Sequence, residues 1–91
     1  MSDRVARRLI VHGRVQGVFF RATVSDAASA AGAGGWAANR ADGTVEVWVE
    51  GSAEAVEAVT DACRAGSRAS RVERVEVEDV EPRGLDGFAA R

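Results

Sequence analysis

Hydrophobic periodicity switches repeatedly along this chain between two and about 3.6 residues, and that alternation leaves few ways to fold it. The clearest period-two run sets Val45, Val47 and Val49 against Glu46, Trp48 and Glu50, the mark of a strand with one buried face. Residues 5–12 alternate less cleanly: Val5, Leu9 and Val11 oppose Arg4, Arg8 and His12, while Arg7 and Ile10 break the pattern. Between these runs Phe20, Val24, Ala27, Ala28 and Ala31 recur at helical spacing. Gly32-Ala33-Gly34-Gly35 ends that helix, with more glycine than a cap needs, which predicts a loose connection into a strand starting at Trp36. Ala41-Asp42-Gly43-Thr44 carries the Asp-Gly signal of a hairpin turn.

Gly51-Ser52 followed by Glu54 opens a second helix, whose inner stripe is Val56, Val59, Thr60 and Cys63 and which ends near Gly66. A fourth strand is expected over 71–81. There Val75 and Val77 alternate with Arg74, Glu76 and Glu78, while Val72 and Val80 fall out of register by one, as a bulge or a shorter strand produces. Pro82-Arg83-Gly84 turns the chain, and Phe88 with Ala90 marks a short last strand. The order βαββαβ predicts an α+β, ferredoxin-like sandwich: two helices packed on one face of an antiparallel sheet, plus a short extra C-terminal strand.

The 91 residues are expected to form one domain, 1–91. Ala and Val supply most of its apolar residues, against three Phe, two Trp, two Leu and one Ile, so the core should be thin. Formal net charge is −2 and the pI is near 5.3, which argues against a nucleic-acid partner held by general phosphate attraction. All twelve basic residues are Arg, so a single Arg is weaker evidence for a guanidinium requirement here. Cys63 is the only cysteine, which excludes an internal disulfide and a CxxC metal or redox site. Met1-Ser2-Asp3-Arg4 leads into no long apolar run, so neither a leader nor a membrane partner is expected, and the default location is cytoplasmic.

Two segments carry possible chemistry. The first, Gly13-Arg14-Val15-Gln16-Gly17-Val18-Phe19-Phe20-Arg21, leaves a strand and opens a helix. Gly17 permits the backbone turns that aim successive N–H groups inward, and such a nest at a helix N-terminus attracts anions. Arg21 would add a planar fork suited to two phosphate oxygens. The plainer alternative is a glycine-shaped turn with Phe19 and Phe20 in the core and Arg21 in solvent. In the second segment, Gly35 to Glu46, Asn39 ends a strand beside the hairpin. Its amide can accept from a water while donating to a phosphate oxygen; the plainer alternative is an Asn bonding its own turn.

Taken together, the two segments resemble the signatures of the acylphosphatase family, G-x-V-Q-G-V-x-F-R and G-W-(V)-x-N-x-x-D-G-(T/S)-V-E, at residues 13–21 and 35–46 and in the same order. The resemblance extends over essentially the whole chain. It implies that Arg21 binds a substrate phosphate together with the backbone of Val15, Gln16, Gly17, Val18, Phe19 and Phe20, and that Asn39 positions the attacking water. It also implies a monomer that uses no cofactor or metal. Its substrate would be a small-molecule acyl phosphate, with inorganic phosphate as product and inhibitor. Thr44 would stand behind Asn39, or serve the turn. Two departures, Ala37 for a larger branched residue and Ala33-Gly34 at the end of the first helix, touch packing rather than chemistry.

Such chemistry asks little of a protein. The leaving carboxylate is a weak base, pKa ~4, so no general acid is needed. Phosphoryl transfer depends chiefly on positioning and on stabilising charge over the equatorial oxygens. His12 lies on the strand face away from the valines, Cys63 on an inner helix stripe, and Ser25 has no recognisable base partner, so none is expected to be catalytic. Trp48 reads as an outward aromatic with partial cover, and Glu73, Glu76, Glu78, Asp79 and Glu81 as a solvated strand face. The competing functions are a βαββαβ RNA-binding module and a non-catalytic, anion-binding regulatory module.

Overall fold

A computed structural model describes residues 3–91. Met1 and Ser2, on which the expectation about a leader partly rests, lie outside the described residues. In chain order the elements are β1 (Val5–Arg14), α1 (Phe20–Ala31), β2 (Gly34–Asn39), β3 (Val45–Gly51), α2 (Ala53–Ala65), β4 (Arg71–Val80) and β5 (Phe88–Ala90). They form one five-stranded sheet in the order β4-β1-β3-β2-β5. Each helical crossover skips a strand, which is the ferredoxin-like split βαβ arrangement. The first four strands pair antiparallel as expected, but β5 runs parallel to β2, so the sheet is mixed at that edge. Among the described residues no helix is long and apolar enough to cross a membrane.

The core lies between the sheet and both helices. Leu9, Val11, Ala37, Val45, Val47 and Val49 meet Phe20, Val24 and Ala28 of α1 and Ala55, Val56, Val59 and Cys63 of α2. Phe20 and Leu9 are the largest fully buried apolar side chains. The irregularities of β1 have simple causes. Arg7 faces α2, where its Nη1 donates to Glu57 (2.7 Å) and to the Thr60 hydroxyl (3.1 Å). Ile10 lies on the open face, ringed by the ion pairs Arg8–Glu46 and His12–Glu76. Val72 of β4 is out of phase because the β1–β4 register shifts between His12 and Gly13, leaving Glu73 as the bulged residue.

Three sequence expectations need correction. Gly34 and Gly35 are not a loose link but the buried start of β2. A Cβ on Gly34 would lie 2.0 Å from the Leu85 carbonyl oxygen, and one on Gly35 1.8 Å from that of Trp48, so close backbone approach demands both glycines. Trp48 is buried rather than outward: the Arg83 guanidinium stacks 4.0 Å from its ring centre and its Nε1 donates to Glu50 (2.8 Å). Glu50, also read as outward, is fully buried. Its carboxylate accepts from Trp48, from Arg4 Nε (2.9 Å) and from the backbone N–H groups of Arg83, Gly84 and Leu85 (3.0, 2.8 and 2.9 Å). The segment after β4 thus folds back across the open face and closes over it.

The acidic run is exposed as expected, though not on one face: Glu76 and Glu78 meet His12, Arg74 and Arg8, while Asp79 meets Arg7 on the helix side.

Candidate active site

β1 delivers the chain at Arg14 to a bend, Val15 to Phe19, that leads straight into α1. Val15 and Val18 are buried and pin the bend to the core, while Gly17 stays exposed. Gly17 (φ 71°) and Phe19 (φ 61°) both adopt left-handed backbone, and residues of that kind beside helical ones turn successive N–H groups toward one concavity. None of the N–H groups from Gln16 to Arg21 finds an acceptor among the described residues. The contrast with α2 is instructive. There Ser52 caps the helix by accepting from the Ala55 N–H, with Glu54 in the first turn; α1 has neither a side-chain cap nor an acid in its first turn. Its positive end therefore faces outward uncompensated.

Distant residues hold this bend in place. The Gln16 side-chain amide donates to the main-chain oxygens of Arg40 and Thr44, each at 2.8 Å, and so ties the bend to the β2–β3 hairpin. From the loop after α2, the Ser67 hydroxyl donates to the Val18 carbonyl (2.6 Å), and Ser67 is itself braced by Ser70. Sequence reading missed Ser67, because no local pattern signals a contact across 49 residues.

Arg21 lies in the first turn of α1, half-buried, and its Nη1 donates to the main-chain oxygen of Arg91. The Arg91 N–H in turn donates to the Ala37 oxygen (2.7 Å). In the β2–β5 register Ala37 faces Ala90, so Arg91 comes level with Ala38, one residue short of Asn39. Arg21 and Asn39 are thereby brought to the same end of the sheet. Asn39 is exposed, and its carboxamide takes no partner among the described residues. The turn bonding that an Asn often supplies falls to Asp42, whose Oδ1 accepts from the Thr44 N–H (3.0 Å) and hydroxyl (2.6 Å). Those two bonds, the hydroxyl first, lower the Asp42 pKa. The Thr44 side chain accordingly serves the turn, and only its carbonyl reaches toward the bend.

A cavity of about 390 Å³ opens beside the bend, lined by Val15, Gly17, Phe19, Phe20, Arg21, Ala22 and Ala90. An equal cavity at the other end of the sheet, at Arg7 and Asp79, has those charges already paired at 3.5 Å. Phe20 fills the core, whereas Phe19 is 82% exposed. His12 sits on the open face against Glu76 and Arg74, and the Glu76 pKa is lowered chiefly by the His12 bond. Cys63 is fully buried, and burial pushes its thiol up to about 12.

Fold and site together define a small ferredoxin-like domain with a run of N–H groups that find no acceptor among the described residues at the mouth of its first helix. The sequence model of the acylphosphatase family matches residues 7–90. The chain is 47% identical over 89 residues to an acylphosphatase of Rhizorhabdus wittichii, covering 98% of this chain and 90% of that one. It is 50% identical over 92 residues to an acylphosphatase of Anaeromyxobacter dehalogenans, covering 100% and 99%. The crystal structure of acylphosphatase from Bacillus subtilis superposes with a TM-score of 0.92 at 36% identity, covering 96% of this chain and 98% of that one. The chain belongs to the acylphosphatase family.

Proposed function

We propose that the protein hydrolyses acyl phosphates to a carboxylate and inorganic phosphate, with the Gln16–Arg21 backbone and the Arg21 guanidinium holding the phosphoryl group and Asn39 aiming the water. The observation that carries this reading is the run of N–H donors without acceptors among the described residues at an uncapped helix start, beside Arg21 and at the end of the sheet where the Asn39 carboxamide takes no partner among those residues. In the reaction a water oxygen forms a bond to phosphorus as the bond from phosphorus to the acyl oxygen breaks. The bonding pair leaves with the carboxylate, and the water's proton passes to a phosphate oxygen. Asn39 cannot act as a base near neutral pH, so its part is orientation. Pre-aligned donors stabilise the equatorial charge, commonly the largest contribution in such a site. The chemistry calls for no cofactor or metal.

The accompanying reading is a monomer of the cytoplasm that uses neither nucleic acid nor membrane, with inorganic phosphate as a competitive inhibitor. An RNA-binding role is disfavoured, because Trp48 is buried beneath Arg83 and Trp36 is covered by Arg91 at 4.7 Å, so neither ring is free to stack a base.

The test is steady-state hydrolysis of a carboxyl phosphate with inorganic phosphate as competitor. Arg21→Ala should remove turnover and weaken phosphate inhibition together. Asn39→Ala should cut kcat by about 10²–10³-fold, the usual loss for one aligned donor, with the phosphate inhibition constant nearly unchanged. An Asn39→Ala enzyme turning over at the parental rate would rule out the assigned role.

A further inference from the structure

We infer that Arg14, Arg40, Arg68 and Arg71 form an electropositive collar around the bend that opens α1, and that the collar draws phosphate dianions to the bend without touching the reacting atoms. The inference rests on the functional reading above and adds to it how the substrate is gathered.

Charge is divided between the two ends of the sheet. β1, β2 and β5 finish, and β3 and β4 begin, at the end where the bend lies. There residues 14–21, 39–45 and 65–72 carry Arg14, Arg21, Arg40, Arg68 and Arg71 against one acid, Asp42. Asp42 is already engaged by the Thr44 N–H and hydroxyl. At the other end residues 3–6, 31–35, 50–54 and 79–88 carry Asp3, Glu50, Glu54, Asp79, Glu81 and Asp86 against Arg4 and Arg83. The formal net charge of −2 therefore conceals a basic end and an acidic end.

The arginines divide by partner in the same way. Arg4, Arg7, Arg8, Arg64 and Arg74 are ion-paired, and Arg83 and Arg91 lie over tryptophan rings. Arg14, Arg40, Arg68 and Arg71 are all exposed, and among the described residues none of them forms an ion pair or covers a ring. Each nevertheless adjoins the bend. Arg14 precedes Val15, the Arg40 carbonyl accepts from Gln16, Arg68 follows the Ser67 that bonds Val18, and Arg71 faces Arg14 in the β1–β4 register. Like charges directly opposite one another destabilise a sheet, so Arg14 and Arg71 carry a cost that a dianion at the bend would relieve.

At 0.1 M salt the Debye length is about 10 Å, so charges this near the bend are still felt there. A surface of one sign raises the local concentration of opposite ions, and their capture rate, by about tenfold or more. Because the collar acts through its field, it requires positive charge rather than the guanidinium fork.

The experiment measures kcat and KM for acetyl phosphate, and the inhibition constant of inorganic phosphate, from about 10 mM to about 1 M sodium chloride, over which the Debye length shrinks from about 30 Å to about 3 Å. The variants are Arg14→Gln, Arg40→Gln, Arg68→Gln and Arg71→Gln, singly and combined, the same four positions changed together to Lys, and a far-end pair, Glu54→Gln with Glu81→Gln. At the lowest salt each single Gln variant should lose about twofold in kcat/KM and the combined one about tenfold. The loss should fall on KM with kcat nearly unchanged, the phosphate inhibition constant should rise in parallel, and the gap from the parent should close toward the highest salt. Comparison with the parent cancels any competition from chloride. The combined Lys variant should follow the parent, and the far-end pair should leave the salt slope as it is although it changes the net charge. A combined Gln variant that matches the parent at low salt, or whose deficit persists at high salt or falls on kcat, overturns the collar while leaving the hydrolase reading standing. A parent that neither hydrolyses acetyl phosphate nor binds inorganic phosphate overturns both.

Discussion

The Asn39 carboxamide takes no partner among the described residues, because Asp42, three residues on, already supplies the side-chain bonds that close the hairpin. At this scale the candidate site depends on small divisions of labour, and Gln16 makes the clearest one. Its backbone belongs to the bend proposed to hold the phosphate, while its side chain turns away to grip the Arg40 and Thr44 carbonyls. Gln16→Leu should therefore act through geometry. It removes both bonds that join the two signature segments, and a misplacement of about 1 Å can cost up to about 10²-fold in rate. We expect kcat/KM to fall about tenfold or more, with a stability loss of about 1–2 kcal/mol in urea unfolding. Undiminished kcat would show that the hairpin holds its position without Gln16. Arg21, Asn39 and Gln16 were all legible as residues in a motif. The side-chain target of Gln16 was not, because it lies 24 and 28 residues further along the chain.

The elements followed their periodicity closely, and the exceptions share one cause. A local pattern reports which face a residue takes, not how near the neighbouring backbone comes. The inner stripe of α2, its Ser52 cap and the buried valines of β3 all appear where spacing placed them. At Gly34 and Gly35 the same reasoning saw only flexibility, while the fold uses the missing Cβ atoms to bring β2 against Leu85 and Trp48. Gly35→Ala would force a carbon to within 1.8 Å of the Trp48 carbonyl at a φ of 136°. It should destabilise the domain by about 2 kcal/mol or more, read as a lower urea midpoint with an unchanged slope. A midpoint equal to the parent's would mean that β2 and β3 separate easily.

For the molecule as a whole, Glu50 decides how the last quarter of the chain is fastened down. Burial pushes its pKa up, but the Arg83 N–H, Trp48, Arg4 and the Leu85 N–H outweigh burial and hold it at about 2, against an ordinary 4.5. A carboxyl lowered on folding stabilises the native state above its unfolded pKa and loses that contribution as pH falls toward the folded one. Stability should thus decline from about pH 5 downward, with Glu50 contributing about 1–3 kcal/mol of the loss by pH 2. Glu50→Gln puts an NH₂ group among donors, so it should be less stable than the parent at neutral pH. The gap between the two should close as pH approaches 2 in urea titrations, and a gap independent of pH would mean that Glu50 is not the group responsible.

The segment held by Glu50 leads into β5, whose pairing with β2 brings Ala90 to the cavity and the Arg91 oxygen to Arg21. The order of elements, the buried stripes and the two motif segments that match the family were legible in the amino-acid sequence alone, since each is a pattern within a dozen residues or so. The burial of Trp48 and Glu50, the Ser67 bond to Val18, and the arrival of Arg21 beside the end of β2 were decided only by the tertiary structure. Each joins groups separated by tens of residues, and no local periodicity records which distant backbone N–H or carbonyl will close over them.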